Sequence, residues 1–178
     1  MLYRLLPVCV ASILVVGLAT GRTLDDQKTD FKTSVAEGKE ISLTPVEIKL
    51  SDTAEDQGRY TATVKPAKEP KKIKMPAQGW ALGFFPKDTK GGGVTVDSVL
   101  EGSGLEKMRT EAGKADEVGP WMVDSGDIIT HVNGYAVNSA EDIVCATSLA
   151  KDKTDVQIVL KDINNGKLLV FYVTATKQ

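Results

Sequence analysis

Few residues in this chain are suited to covalent or acid–base chemistry. It holds one histidine, His131, and two cysteines, Cys9 and Cys145. A serine hydrolase would need that histidine beside a nucleophilic serine and an orienting carboxylate. No G-x-S-x-G stretch, the turn that exposes such a serine, occurs. His131 instead reads as an exposed position in a strand. Asp124-Ser125-Gly126 mimics the triplet of aspartic proteases. That chemistry requires two carboxylates sharing a proton, and no second copy exists. With one histidine and no cysteine pair, a metal-ligand cluster has no basis. Gly91-Gly92-Gly93 lacks the lysine and hydroxyl of a phosphate loop and reads as a strand connector. Cys145 lies in an apolar helical pattern, which suits a buried, inert thiol. The expectation is a protein that is not an enzyme, with no cofactor and no metal.

Main-chain hydrogen bonding is a different resource. Ala81-Leu82-Gly83-Phe84-Phe85-Pro86 is a short apolar run with a glycine inside it and a proline at its end. Glycine within a strand marks a bulge or a close backbone approach. Proline removes an N–H that a partner strand would use. The pair predicts a short strand whose amides face something other than a full-length neighbour.

The elements that would hold this segment can be read from patterning. The chain has 178 residues and a formal charge of -2. The near balance implies no general attraction to nucleic acid or anionic lipid. The N-terminus places Arg4 before an apolar stretch from Leu5 to Leu18, then Ala19-Thr20-Gly21. That order reads as a signal peptide over residues 1–21, and the run is short against the roughly 20 residues of a membrane span. An uncleaved anchor is the alternative. The chain is therefore expected to be exported, periplasmic or extracellular, or held at a membrane through that segment.

Residues 22–78 read as a flexible or weakly structured segment. Ile41 to Leu50 and Tyr60 to Val64 are β-favouring patches that could form a loose hairpin around Asp56-Gln57-Gly58. They carry too few large apolar residues for a core of their own. KPAKEPKKIKMP suits an extended, solvated spacer. A phosphate- or lipid-binding patch is the sharper reading of its lysines, but Glu69 and the prolines favour a spacer and no aromatic residues interleave.

From Gly79 the texture changes. GVTVDSV (93–99) alternates as a strand, and DIITHVNG (127–134) is a second strand ending in an Asn-Gly turn. Ile129 and Val132 break the alternation, so a bulge is predicted there. NSAEDIVCATSLAK (138–151) is a helix with Ser139 as N-cap and Asp142 as its acidic partner. DVQIVLKD (155–162) and KLLVFYVTAT (167–176) are strands joined by a turn at Ile163-Asn164-Asn165-Gly166. Residues 105–113 suggest a helix ending near Gly113. The order gives an α+β fold: a small, partly open β-barrel of five to six strands with one main helix, over residues 79–178.

These blocks resemble PDZ domains, especially those attached to bacterial HtrA-type proteases, here without a protease domain. The resemblance rests on Ala81-Leu82-Gly83-Phe84, Gly93-Val94-Thr95-Val96-Asp97-Ser98-Val99, Gly102-Ser103-Gly104, and Gly126-Asp127-Ile128-Ile129-Thr130-His131-Val132-Asn133-Gly134. It spans roughly residues 79 to 176, and the last block is its most specific part. It implies a module in which loop amides bind a terminal carboxylate while the peptide adds as a strand. By resemblance, Ala81, Leu82, Gly83, Phe84 and Phe85 would form the loop and strand, with amides from Leu82, Gly83 and Phe84. Ala140, Val144 and Thr147 would line the side-chain pocket. Ala140 stands where some members use a histidine to select Ser or Thr, which points to apolar or unselective ligands.

Two departures stand out. Pro86 occupies a position that donates an N–H to the peptide in the family register, so pairing would stop after the last residue or two. Its other reading is protection of an exposed edge. Residues 105 to 123 exceed the family's usual turn, and Pro120-Trp121-Met122 could pack as a lid or face a partner. Three functions remain open. One is an exported PDZ-type binding module for a protein or peptide C-terminus or exposed segment. Another is an accessory, substrate-recruiting or regulatory subunit of a separate protease. The third is a structural module with a vestigial groove, contacting a partner through Trp80, Phe85 and Trp121.

Overall fold

A computed structural model describes residues 38–51, 59–76, 79–87, 92–113 and 123–177. The expected signal peptide, the start of the segment 22–78 and Trp121 lie outside the described residues. The strands are β1 (Glu40–Leu50), β2 (Tyr60–Pro66), β3 (Lys71–Lys74), β4 (Trp80–Ala81), β5 (Phe84–Lys87) and β6 (Val94–Val99). They continue with β7 (Ile128–Val132), β8 (Tyr135–Ala136), β9 (Val156–Lys161), β10 (Leu168–Val173) and β11 (Thr176–Lys177). One helix, α1 (Ala140–Ser148), is present among the described residues.

Six antiparallel strands close on themselves in the order β1, β2, β10, β9, β7, β8 and back to β1. The fold is a small closed β-barrel with a single helix, where the sequence predicts a partly open one. Closure depends on two short contacts. Thr44 and Pro45 of β1 pair with Ala136 and Tyr135 of β8, and Leu169 and Val170 of β10 pair with Thr61 and Tyr60 of β2. Strands β6 and β5 extend the sheet beyond β7. Strands β4 and β11 form a separate pair, Trp80 with Lys177 and Ala81 with Thr176.

Within the segment 22–78, which the sequence suggests is flexible or weakly structured, Glu40–Leu50, Tyr60–Pro66 and Lys71–Lys74 are strands. Strands β2 and β3 both run antiparallel to β1, β2 against its second half and β3 against its first. The two apolar patches do form a hairpin, but one built into the barrel wall. Ile41, Leu43 and Met75 are buried in the same core as the later strands. The local composition is too poor in large apolar residues for an independent core. These strands use the core of residues 79–178 instead, a contact of long sequence separation that patterning does not show. The strands on either side of residue 79 belong to one compact unit.

Other expectations hold. The register between β7 and β9 shifts between Ile129 and His131, which is the bulge that lets both Ile129 and Val132 point inward. Asn133 takes φ +48° and Gly134 φ +75° in the turn to β8. Ser139 Oγ accepts from the Asp142 N–H at 3.1 Å, and Asp142 Oδ2 accepts from the Ser139 N–H at 3.1 Å, which completes the capping box. The helix predicted over 105–113 does not form. Leu105 and Met108 are drawn into the core, and Arg109 exchanges both main-chain hydrogen bonds with Tyr172. These bonds form an isolated bridge to β10, and main-chain groups spent on it are not available for a helical ladder.

Candidate functional site

The loop between β4 and β5 owes its shape to the segment from Leu100 to Leu105. The Leu82 carbonyl accepts from the Leu105 N–H at 3.0 Å, and the Gly83 carbonyl accepts from the Leu100 N–H at 2.9 Å. No peptide bond among the described residues is cis. In a trans peptide the N–H points opposite to the carbonyl that precedes it. The N–H groups of Gly83 and Phe84 are therefore turned away from residues 100–105, toward the same side. Among the described residues, none accepts a hydrogen bond from the N–H of Leu82 or Gly83. Gly83 makes this possible twice over. It adopts φ +87°, and a Cβ there would overlap Ser103, lying 2.8 Å from its Oγ. Ser103 itself is buried. Beside it, Gly104 packs against the main chain of Thr174 with no room for a side chain.

Beyond the loop, β5 is an edge strand that pairs only with β6 among the described residues. Phe84 faces Val99 and Phe85 faces Ser98, then the register shifts so that Pro86 faces Val96 and Lys87 faces Thr95. Asp97 is the extra residue of this bulge. The Val96 N–H donates to the Asp127 carbonyl at 2.8 Å, and the Val96 carbonyl accepts from the Gly126 N–H at 2.8 Å. Val96 thus turns both groups away from β5, so Pro86 opposite it turns its own toward the open edge. The proline sits where an added strand would look for a donor.

The helical side of the expected site is less open than the sequence suggests. Ala140 is half-buried, but Val144 is 2% exposed and Thr147 is 0% exposed. Val144 and Thr147, expected to line the side-chain pocket, present almost no surface in this structure. The reason is that α1 packs against β4 and β1 as well as β7. Thr147 Oγ1 is buried with no hydrogen-bond partner. Ala81, Phe84 and Phe85 are half-buried; Leu82 and Gly83 are buried.

Two positioning residues escaped the sequence reading. Lys153 Nζ donates to the carbonyls of Thr147, Ser148 and Ala150 at 3.1, 2.8 and 2.6 Å, capping the helix C-terminus. It also lies 5.5 Å from the centroid of the Trp80 ring. It therefore ties the helix end to the strand that enters the amide loop. A lysine just past a helix was the available signal. Asn133 donates from Nδ2 to the Ala146 carbonyl at 3.0 Å and accepts at Oδ1 from the Gln157 N–H at 3.1 Å. It joins the helix to β9. At the other end of α1, Lys39 pairs with Glu141 at 2.6 Å, a link from the start of β1 to the first helical turn.

The titratable residues are occupied structurally. His131 is half-buried rather than exposed, with Nδ1 2.9 Å from Thr130 Oγ1, and burial lowers its pKa from the ordinary 6.5. Asp127 accepts from the N–H groups of Asp124 at 3.0 Å and Ile163 at 2.9 Å, as expected at the strand entry. Burial raises its pKa above 3.8, with Asp162 and Asp124 adding to the rise against the two hydrogen bonds. Cys145 is buried, and burial together with the Asp142 charge pushes its thiol pKa up. No three His, Cys, Asp or Glu side chains among the described residues form a group that could hold a metal. No family model matches the chain, and no curated protein matches it.

Proposed function

We propose that this chain is an exported, non-catalytic PDZ-type binding module that captures the C-terminus or an exposed segment of a partner protein. The observation that carries this reading is the set of N–H groups at Leu82, Gly83 and Phe84, which no carbonyl among the described residues claims, at the head of a strand that pairs on one side only among those residues. Converging amides of this kind form a concavity for an anion, and an open strand edge accepts an added strand. Export rests on the pattern of residues 1–21.

The burial of Val144 and Thr147 favours a second reading, a structural module whose groove no longer takes a side chain. One experiment separates the two. The full chain is probed with an array of heptapeptides that vary in their last residue, in parallel with the Ala140→Arg and Phe85→Asp variants. The binding module retains peptides with apolar last residues, and both variants lose them. Retention of none, or equal retention by all three proteins, would leave only the structural module.

A further inference from the structure

We infer that the lysine-bearing stretch that runs from the end of β2 through β3 is a docking surface for an anionic lipid bilayer. Sequence patterning leaves KPAKEPKKIKMP as a solvated spacer, but part of it is strand. Lys71–Lys74 is β3, held on β1 by the register Glu40 with Lys74, Ile41 with Ile73, Ser42 with Lys72 and Leu43 with Lys71. Ile41 and Leu43 are buried in the core, so the alternate positions, where Lys72 and Lys74 stand, face outward. Lys65, near the end of β2, is exposed opposite an exposed Glu47. These charges sit on a backbone fixed to the barrel wall.

Charge is segregated even though the chain is nearly balanced. Residues 65–74 hold five lysines and one glutamate, a charge of +4 in a chain whose total is -2, which leaves -6 for the rest. Lys65, Lys68, Lys71, Lys72 and Lys74 are all exposed. None of the five has an ion-pair partner among the described residues, whereas Lys39 is paired with Glu141 and Lys49 with Glu47. Pro66 and Pro70 already interrupt the donors of this outer strand, so protection of the edge does not call for five charges.

Among anionic partners, a bilayer fits best. Each lysine held near an anionic membrane adds its own attraction, and no pocket is needed. No aromatic side chain interleaves with the lysines, so nothing stacks on bases as a single-stranded nucleic acid needs. The same chain carries the apolar run from Leu5 to Leu18. Where that run is retained, it and the lysines are the two weak signals that together give stable anchoring. Residues 19–39 separate them from β1, a contour of at most about 70 Å. Strands β3 and β5 lie at the two ends of the sheet order, so this surface shares no residue with the candidate peptide site.

The test is co-sedimentation of the full chain with vesicles of phosphatidylcholine alone and of phosphatidylcholine mixed with phosphatidylglycerol, at about 0.1 M salt. Partitioning to the anionic vesicles is expected to be at least about tenfold stronger, and the excess should vanish at about 1 M salt, where charges are screened within about 3 Å. The triple variant Lys68→Gln, Lys71→Gln, Lys72→Gln should lose at least about tenfold of the anionic partitioning. A control with the same loss of charge elsewhere, at the exposed Lys151, Lys161 and Lys177, should change it by less than about threefold. Equal partitioning to the two kinds of vesicle would overturn the inference and leave the lysines as edge protection alone. Equal losses in the two triple variants would also overturn it. So would an oligonucleotide of about 20 nucleotides that binds with the same lysine dependence while the vesicles do not. Peptide capture is read on a different surface, so its failure leaves this result standing.

Discussion

Gly83 and Ser103 are in mutual contact so close that a methyl group on Gly83 would overlap the Ser103 side chain. The contact binds the amide loop to the small-residue turn at Gly102-Ser103-Gly104. It gives the glycine a structural reason to be there that is independent of any ligand. Gly83→Ala meets two penalties: strain at φ +87° of about 1–3 kcal/mol, and overpacking of about 1–3 kcal/mol. Urea denaturation should show their sum. Adding Ser103→Gly should recover the overpacking part and leave the strain, so a double variant no more stable than Gly83→Ala would contradict the contact.

Leu43 is fully buried although it belongs to the N-terminal hairpin. Leu43→Ala is expected to cost about 2–5 kcal/mol, as in any well-packed core. A chain reduced to residues 79–178 lacks β1, β2 and β3 and should lose its cooperative thermal transition, because β8 and β10 then have open edges. Circular dichroism on heating reads both. A sharp transition in the shortened chain at the temperature of the full chain would show that the hairpin is dispensable.

Lys153 joins the C-terminus of α1 to Trp80. Lys153→Met keeps most of the stem and removes the charge. The expected loss is about 1–3 kcal/mol, from hydrogen bonds made by a charged donor with a smaller cation–π part. Trp80→Leu should cost less than Lys153→Met, since the carbonyl contacts survive. Chemical denaturation of both variants decides the order.

The pH dependence of stability should contain two opposed contributions. His131 has a folded pKa below 6.5, so the unfolded chain binds the proton first. Its contribution is complete above about 6.5 and is lost as pH falls toward the folded value. Asp127 has a folded pKa above 3.8, so the folded chain binds the proton first. Its contribution grows as pH falls through the folded value toward 3.8. His131→Gln should flatten the acid-side loss near neutrality. Asp127→Asn should remove the gain at lower pH, at the cost of one hydrogen bond at every pH. Melting temperatures from pH 4 to 8 test both signs, and a steeper acid loss in His131→Gln would refute the first.

Much of the fold was legible locally. The capping box at Ser139 and Asp142, the positive-φ turn at Asn133-Gly134 and the bulge between Ile129 and Val132 each arise from side chains a few residues apart. The hairpin of β9 and β10 is of the same kind. So is the loss of a donor at Pro86, which follows from its ring alone. The exchange of hydrogen bonds between Arg109 and Tyr172 was not legible, since it overrides helical spacing from 63 positions away along the chain.

What the amino-acid order determined by itself is the four longer strands from residue 93 onward, without the short β8 and β11, the helix and its cap, and the glycine and proline that bracket the candidate loop. Only the tertiary structure decided that the N-terminal hairpin closes the barrel, that Val144 and Thr147 are covered, and that Pro86 faces outward. The physical reason is range. Caps, turns and bulges are satisfied by near neighbours, whereas strand order, burial and the direction of an edge carbonyl depend on which distant strand arrives beside it.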